Sequence, residues 1–412
     1  MSISLEAIKF NHDPNSATVD ALNIRKNATQ FVNVPEWRRG ISVVPEDAPA
    51  AYALKETQGK TITIQAKFKR ADPSITTCYV RAIDPVAYPK APAGCLGTIY
   101  SLLVALLGGL FRAILRALFG NVLGEVKEKQ VTFTASGETN FETFQLQYVK
   151  LWSAGVGVHT TTWRWQYRIQ AADPWTDFTT STHRIYTILG LPTAPWQQTP
   201  YNSGNTQLPW AEVLDYACTW AAATKNPDAA AGGVTRAVFG LGPAVVEYDC
   251  PGGGSTHYAW GSFNCTAFLD RLHGGVGNGV YVNCTDCGTF VSSFANILGC
   301  DLWQSRMGWG FDLNEILGIG SNVWQTACGW GGFSYHEVAW KDACLADDEV
   351  FDGCLEVDGD ADPTAAPHTP LLPVNMRFGN PGDGDYRDRL CTPAGSPNCA
   401  PQPATRQRRA VV

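Results

Sequence analysis

Three side chains suited to acyl-transfer chemistry follow one another in the last third of the chain: Cys284, His336 and an acid at Asp352 or Asp358. A thiol is a strong nucleophile only as its thiolate, and a histidine supplies the base that makes it one. A carboxylate beside that histidine fixes its tautomer and stabilises the imidazolium. The three together can attack an amide carbonyl, expel an amine and leave a thioester.

The elements around them are readable. Cys284 opens Cys284-Thr285-Asp286-Cys287-Gly288, and apolar residues at 290, 291, 294, 297 and 298 then mark one helical face. The spacing places Cys284 at a helix amino terminus, where unsatisfied N–H groups and the positive dipole end favour a thiolate. His336 lies in the alternating run Phe333 to Trp340, which predicts a strand, and Glu349-Val350-Phe351-Asp352 predicts the next one. Asp358 ends a similar run, Leu355-Glu356-Val357-Asp358, so the acid is ambiguous. Asp352 is preferred because one short turn then joins the two strands.

Across roughly residues 205–375 this pattern resembles the transglutaminase-like cysteine enzyme superfamily. The matching pieces are Cys284, Asp286, Ile297-Leu298-Gly299, His336-Glu337-Val338 and Val350-Phe351-Asp352. The chain departs from the family where Cys287 and Gly288 replace an aromatic and an alanine, and in the long Trp- and Gly-rich stretch between Gly299 and His336. The resemblance implies a papain-like α+β domain, a protein or peptide substrate and no cofactor. Its bacterial branch favours hydrolysis over cross-linking.

An oxyanion hole is also required. The backbone N–H of Cys284 is the first expected donor, with Trp260 as a candidate second. The competing chemistry is a metal site: Cys284-x-x-Cys287 has zinc-ligand spacing, and Cys328, His336, Cys344 or Cys354 could complete it. No second tight pair follows, so the metal reading is the weaker one.

With 412 residues the chain can bury two cores, and its net charge of −7 excludes a general nucleic-acid binder. The thirteen cysteines are unevenly spread, and the first residues carry no basic-then-apolar leader. Mostly reduced thiols in a cytoplasmic protein are the expectation.

Residues 1–190 alternate strongly, as in Thr61–Phe68, Thr77–Ile83, Lys129–Ala135 and Thr160–Ile169, which predicts an antiparallel β-sandwich. An apolar helical insertion at about 95–123 interrupts it. Its run Ile99–Phe111 has no charge, but it is shorter than the ~20 residues a bilayer requires. Leu102, Leu103, Leu106, Leu107, Leu110 and Phe111, with Arg112 and Arg116, would form the contact to a membrane or a partner protein. On that alternative the protein is a membrane-interacting, toxin-like effector and its Cys–His domain is regulatory. Residues 191–209 read as a linker, 210–378 as the catalytic domain, and 379–412 as an irregular or disordered tail.

Overall fold

Alternation along a strand places every second side chain on the same face, so a half-buried sheet should bury alternate residues. Thr63–Arg70 does this, with Ile64, Ala66 and Phe68 fully buried and their neighbours exposed or half-buried. The computed structural model describes residues 2–13, 20–41, 44–88, 110–199, 201 and 204–412. It divides into two units, Met1–Lys26 with Phe31–Ile188, and Asn27–Gln30 with Leu189–Val412.

Among the described residues, the first unit is one continuous sheet of nine strands. Their order is Trp37–Arg38, Ile3–Lys9, Thr63–Arg70, Glu142–Gln147, Glu125–Thr132, Thr77–Ile83, Gly157–Arg168, Thr176–Ile188 and Ala50–Ala53. All neighbours run antiparallel except the last pair. The expected sandwich of two separate sheets is therefore corrected to a single sheet that curls over one core. Phe68 and Trp165 lie four strands apart in the order, yet their ring centroids are 5.7 Å apart. Phe10, just beyond the second strand, reaches His183 of the eighth at 4.8 Å. A strongly twisted sheet this wide closes on its own apolar face, and large aromatics fill the fold.

Residues 110–119 are helical; Leu102, Leu103, Leu106 and Leu107 lie outside the described residues. Arg112 and Arg116, expected at a membrane or partner contact, both make contacts within this unit. Arg116 pairs with the buried Glu125 at 2.8 Å, and both guanidiniums lie over the Tyr88 ring. The arginines thus turn the helix toward the sheet, leaving Leu110, Ile114 and Leu118 exposed and Phe111 half-buried. Among the described residues, no helix is long and apolar enough to cross a membrane.

The second unit is built around the helix Cys284–Asn296, every residue of which is buried. Apart from Asp286 and Asn296, which are hydrogen-bonded inside the fold, its side chains are small or apolar and leave no polar face to solvate. Asn283 caps its start and accepts from the Asp286 N–H at 3.1 Å, while the Asp286 carboxylate takes the Asn283 N–H at 3.1 Å. Gly299, at φ +90°, follows the end of the helix and allows the chain to pass against Gly190.

Against this helix lies a five-stranded antiparallel sheet, ordered Val374–Arg377, Glu349–Phe351, His336–Trp340, Trp303–Met307, Pro401–Gln407. Gly288 sets the contact: a Cβ there would lie 3.1 Å from the Glu337 carbonyl and from Val338 Cα. Two expectations about the flanks fail here. The stretch 191–209 is no linker, because Trp196 is buried and its indole N–H donates to the Ser293 carbonyl at 2.8 Å. The segment 379–412 is ordered rather than irregular: Tyr386, Leu390, Cys391 and Cys399 belong to the core, and Pro401–Gln407 is an edge strand. Proline is admissible on an edge strand, which is how a Pro-rich stretch completes the sheet.

Candidate active site

The capped helix start and the central strand bring Cys284 and His336 together. Cys284 is the first helical residue and His336 the first of its strand, paired with Met307. His336 Nε2 is 2.8 Å from Asp352 Oδ2, and both residues are buried. Its other nitrogen, Nδ1, is buried without a hydrogen-bond partner, and the ring interacts with the Cys284 side chain. Phe333 stacks nearly parallel on the imidazole at 5.1 Å between centroids, which limits ring rotation.

Electrostatics decide the charge on this histidine. Burial pulls its pKa down, but the Asp352 carboxylate and the Cys284 side chain outweigh that, and it is pushed up to about 10. The imidazolium is thus the neutral-pH form, as an ion pair with a thiolate requires.

Asp352 is itself held from two further sides. Tyr386 donates its hydroxyl to Oδ2 at 2.8 Å, and the Cys354 N–H donates to Oδ1 at 2.8 Å. Asp358 is placed elsewhere. Its carboxylate meets His368 Nδ1 at 2.7 Å and accepts from the N–H groups of Thr369 and Asp360, each at 2.9 Å. Tyr386 was not signalled by the sequence, since it sits in Asp385-Tyr386-Arg387 within a polar, Gly-rich segment. Removing only its hydroxyl, in Tyr386→Phe, takes one hydrogen bond from the carboxylate. A hydrogen bond to a charged group is worth about 1.5–3 kcal/mol. The expected result is about a tenfold or larger fall in kcat/KM with KM nearly constant, measured by steady-state kinetics.

Cys284 opens onto a cavity of about 320 Å³. Tyr248, Gly253, Gly254, Asn283, Trp330, Gly332, Phe333, Ser334 and Tyr335 line it, and none of these side chains is a formal charge. Burial, with Cys284 close by, pushes the Tyr248 pKa far up, so its hydroxyl stays protonated as a donor. Trp260 is corrected as an oxyanion residue. It is 76% exposed, absent from the cavity lining, and gives its indole N–H to the Thr256 carbonyl. A disulfide, Cys250–Cys328, ties the loop after Tyr248 to the loop before Trp330. Among the described residues, the other cysteines are all buried.

The metal alternative finds no geometry. Cys328 is in the disulfide, Cys287 lies against Cys354, and among the described residues no three His, Cys, Asp or Glu side chains group as ligands. Cys265, whose Asn-Cys-Thr setting repeats that of Cys284, is a buried core thiol with its pKa pushed well up by burial.

Two comparisons with known proteins, against family models and against curated sequences, give no match. Among solved structures, the chain is similar to the crystal structure of red sea bream transglutaminase, at 10% identity and a TM-score of 0.35. The match covers 91% of this chain and 55% of that one, so this chain spans about half its length. At this level of likeness, the side-chain geometry carries the functional weight.

Proposed function

We propose that the second unit is a cysteine-nucleophile amide or peptide hydrolase, working through a thioester with Cys284, His336 and Asp352. The observation that supports it is the buried His336–Asp352 pair, with its remaining ring nitrogen left for Cys284 at the mouth of an uncharged cavity.

In this reading the Cys284 thiolate adds to the amide carbonyl, and the His336 imidazolium gives its Nδ1 proton to the departing amine. The neutral imidazole then takes a proton from water, which attacks the thioester and releases the acid. An amine in place of water would give a transamidase. The Cys284 N–H, in the first turn of the helix, and the protonated Tyr248 hydroxyl are the donors for the oxyanion. Asp352 keeps its charge throughout and holds the ring, aided by Tyr386.

Alkylation rates measured per cysteine by mass spectrometry across pH 5 to 9 test this. Cys284 should react much faster than the other thiols and stay reactive below about pH 8.5, the ordinary thiol range. The elevated His336 pKa carries that plateau to alkaline pH, and His336→Ala should remove it. A Cys284 that reacts no faster than Cys265 would end the proposal.

A further inference from the structure

Glu337 follows His336 on the strand and is fully buried. A buried carboxylate is costly unless paired and hydrogen-bonded. This one has three partners. Arg409 meets both of its oxygens, with Nη2 to Oε2 at 3.2 Å and a shorter contact from Nη1 to Oε1. Arg306 Nε reaches Oε2 at 3.2 Å, and the Thr285 hydroxyl, one residue beyond the nucleophile, donates to Oε2 at 3.3 Å.

Arg409 is also almost wholly buried, at 5% exposure, and does more than neutralise Glu337. Its Nη1 lies 3.0 Å from Thr289 Oγ1 and 3.1 Å from Gln304 Oε1, and its backbone N–H donates to the same Gln304 oxygen at 3.1 Å. One guanidinium therefore joins the helix that carries Cys284, the strand that carries His336 and the strand between that one and the edge. No step of the proposed chemistry uses this cluster.

We infer that Arg409 is a positioning residue for the Cys284–His336 pair, acting through Glu337. The inference rests on the proposed cysteine-nucleophile reading. Its fork fixes the seam between helix and strand, and its charge cancels a carboxylate that would otherwise oppose a thiolate at the neighbouring helix start. The other titratable groups facing the pair are Asp352, Tyr386, Tyr248, Tyr335, Cys287, Cys354 and, in the first helical turn, Asp286. These are the same in every variant below.

The test uses the full chain as Arg409→Met, Glu337→Gln and the double variant, with alkylation of Cys284 by iodoacetamide followed against pH. Arg409→Met removes one positive charge and leaves Glu337 only the partly exposed Arg306 as a cationic partner, so it should move the acid limb up by about one pH unit. Glu337→Gln removes the carboxylate that offsets Arg409 and Arg306 and should move it down. The double variant should return near the wild type, because neutral isosteres tolerate what a broken pair does not. A purely structural role would move both single variants the same way. Should Arg409→Met fail to fold, Arg306→Gln at a 30% exposed position should still move the limb up, by less. An activated Cys284 whose profile ignores these variants overturns the positioning role alone. An ordinary thiol profile in the wild type overturns the nucleophile assignment and this inference with it.

Discussion

The Cys284→Ala protein will fold and melt within a few degrees of the wild type, yet lose amide turnover by about 10⁴-fold or more. The two halves of that result come from different atoms. Turnover depends on the Cys284 sulfur, because the nearby thiols of Cys287 and Cys354 are fully buried and do not line the cavity. Stability depends on the helix start, and its cap is made by Asn283 and Asp286 without the Cys284 side chain. Asp286 also gathers the N–H groups of His257, Tyr258 and Ala259 at 2.8 to 2.9 Å, so the loop beside the site stays in place. Calorimetry and mass-spectrometric detection of peptide-amide cleavage give the two readouts. Cleavage surviving in this variant would remove Cys284 from the chemistry.

Asp352→Asn should cost about 10³-fold or more in kcat/KM, whereas Asp358→Asn should leave the rate within about threefold and lower the melting temperature. Asparagine at 352 keeps the shape but loses the charge that favours the imidazolium, and its amide can present N–H where the ring needs an acceptor. Asp358 instead ties His368 and the Thr369 backbone to its own strand, with His368 Nε2 passing on to Glu315 at 2.7 Å. Losing that network loosens a loop and leaves the triad untouched. Steady-state kinetics on both variants decides the matter, and equal losses would mean that the acid has been misassigned.

Local chemistry was legible in the sequence and long-range pairing was not. The helix beginning at Cys284 follows from the apolar spacing after it, and the His336 strand follows from alternation. Two Val-x-Asp runs cannot be told apart locally; only the turn to His336 and the contact with Tyr386 separate Asp352 from Asp358. Arg409 and the strand Pro401–Gln407 pair with residues about a hundred positions earlier, and their polar, Pro-containing sequence resembles loose chain. Alternation likewise marked the strands of the first unit but held no information on their order, so one curled sheet looked like two. Trp260 failed for a related reason, because proximity in sequence to a helix start does not fix where a loop turns its side chain.

The Cys250–Cys328 bond has a chemical consequence for the neighbouring thiol. It joins the segments that carry Tyr248 and Trp330, two neighbouring aromatics of the cavity that Cys284 lines. Under the proposed function, a reductant preserves the nucleophile but cuts the tie between those two segments, and an oxidant keeps the tie and consumes the nucleophile. The solution redox potential therefore acts on the two sulfur sites with opposite sign.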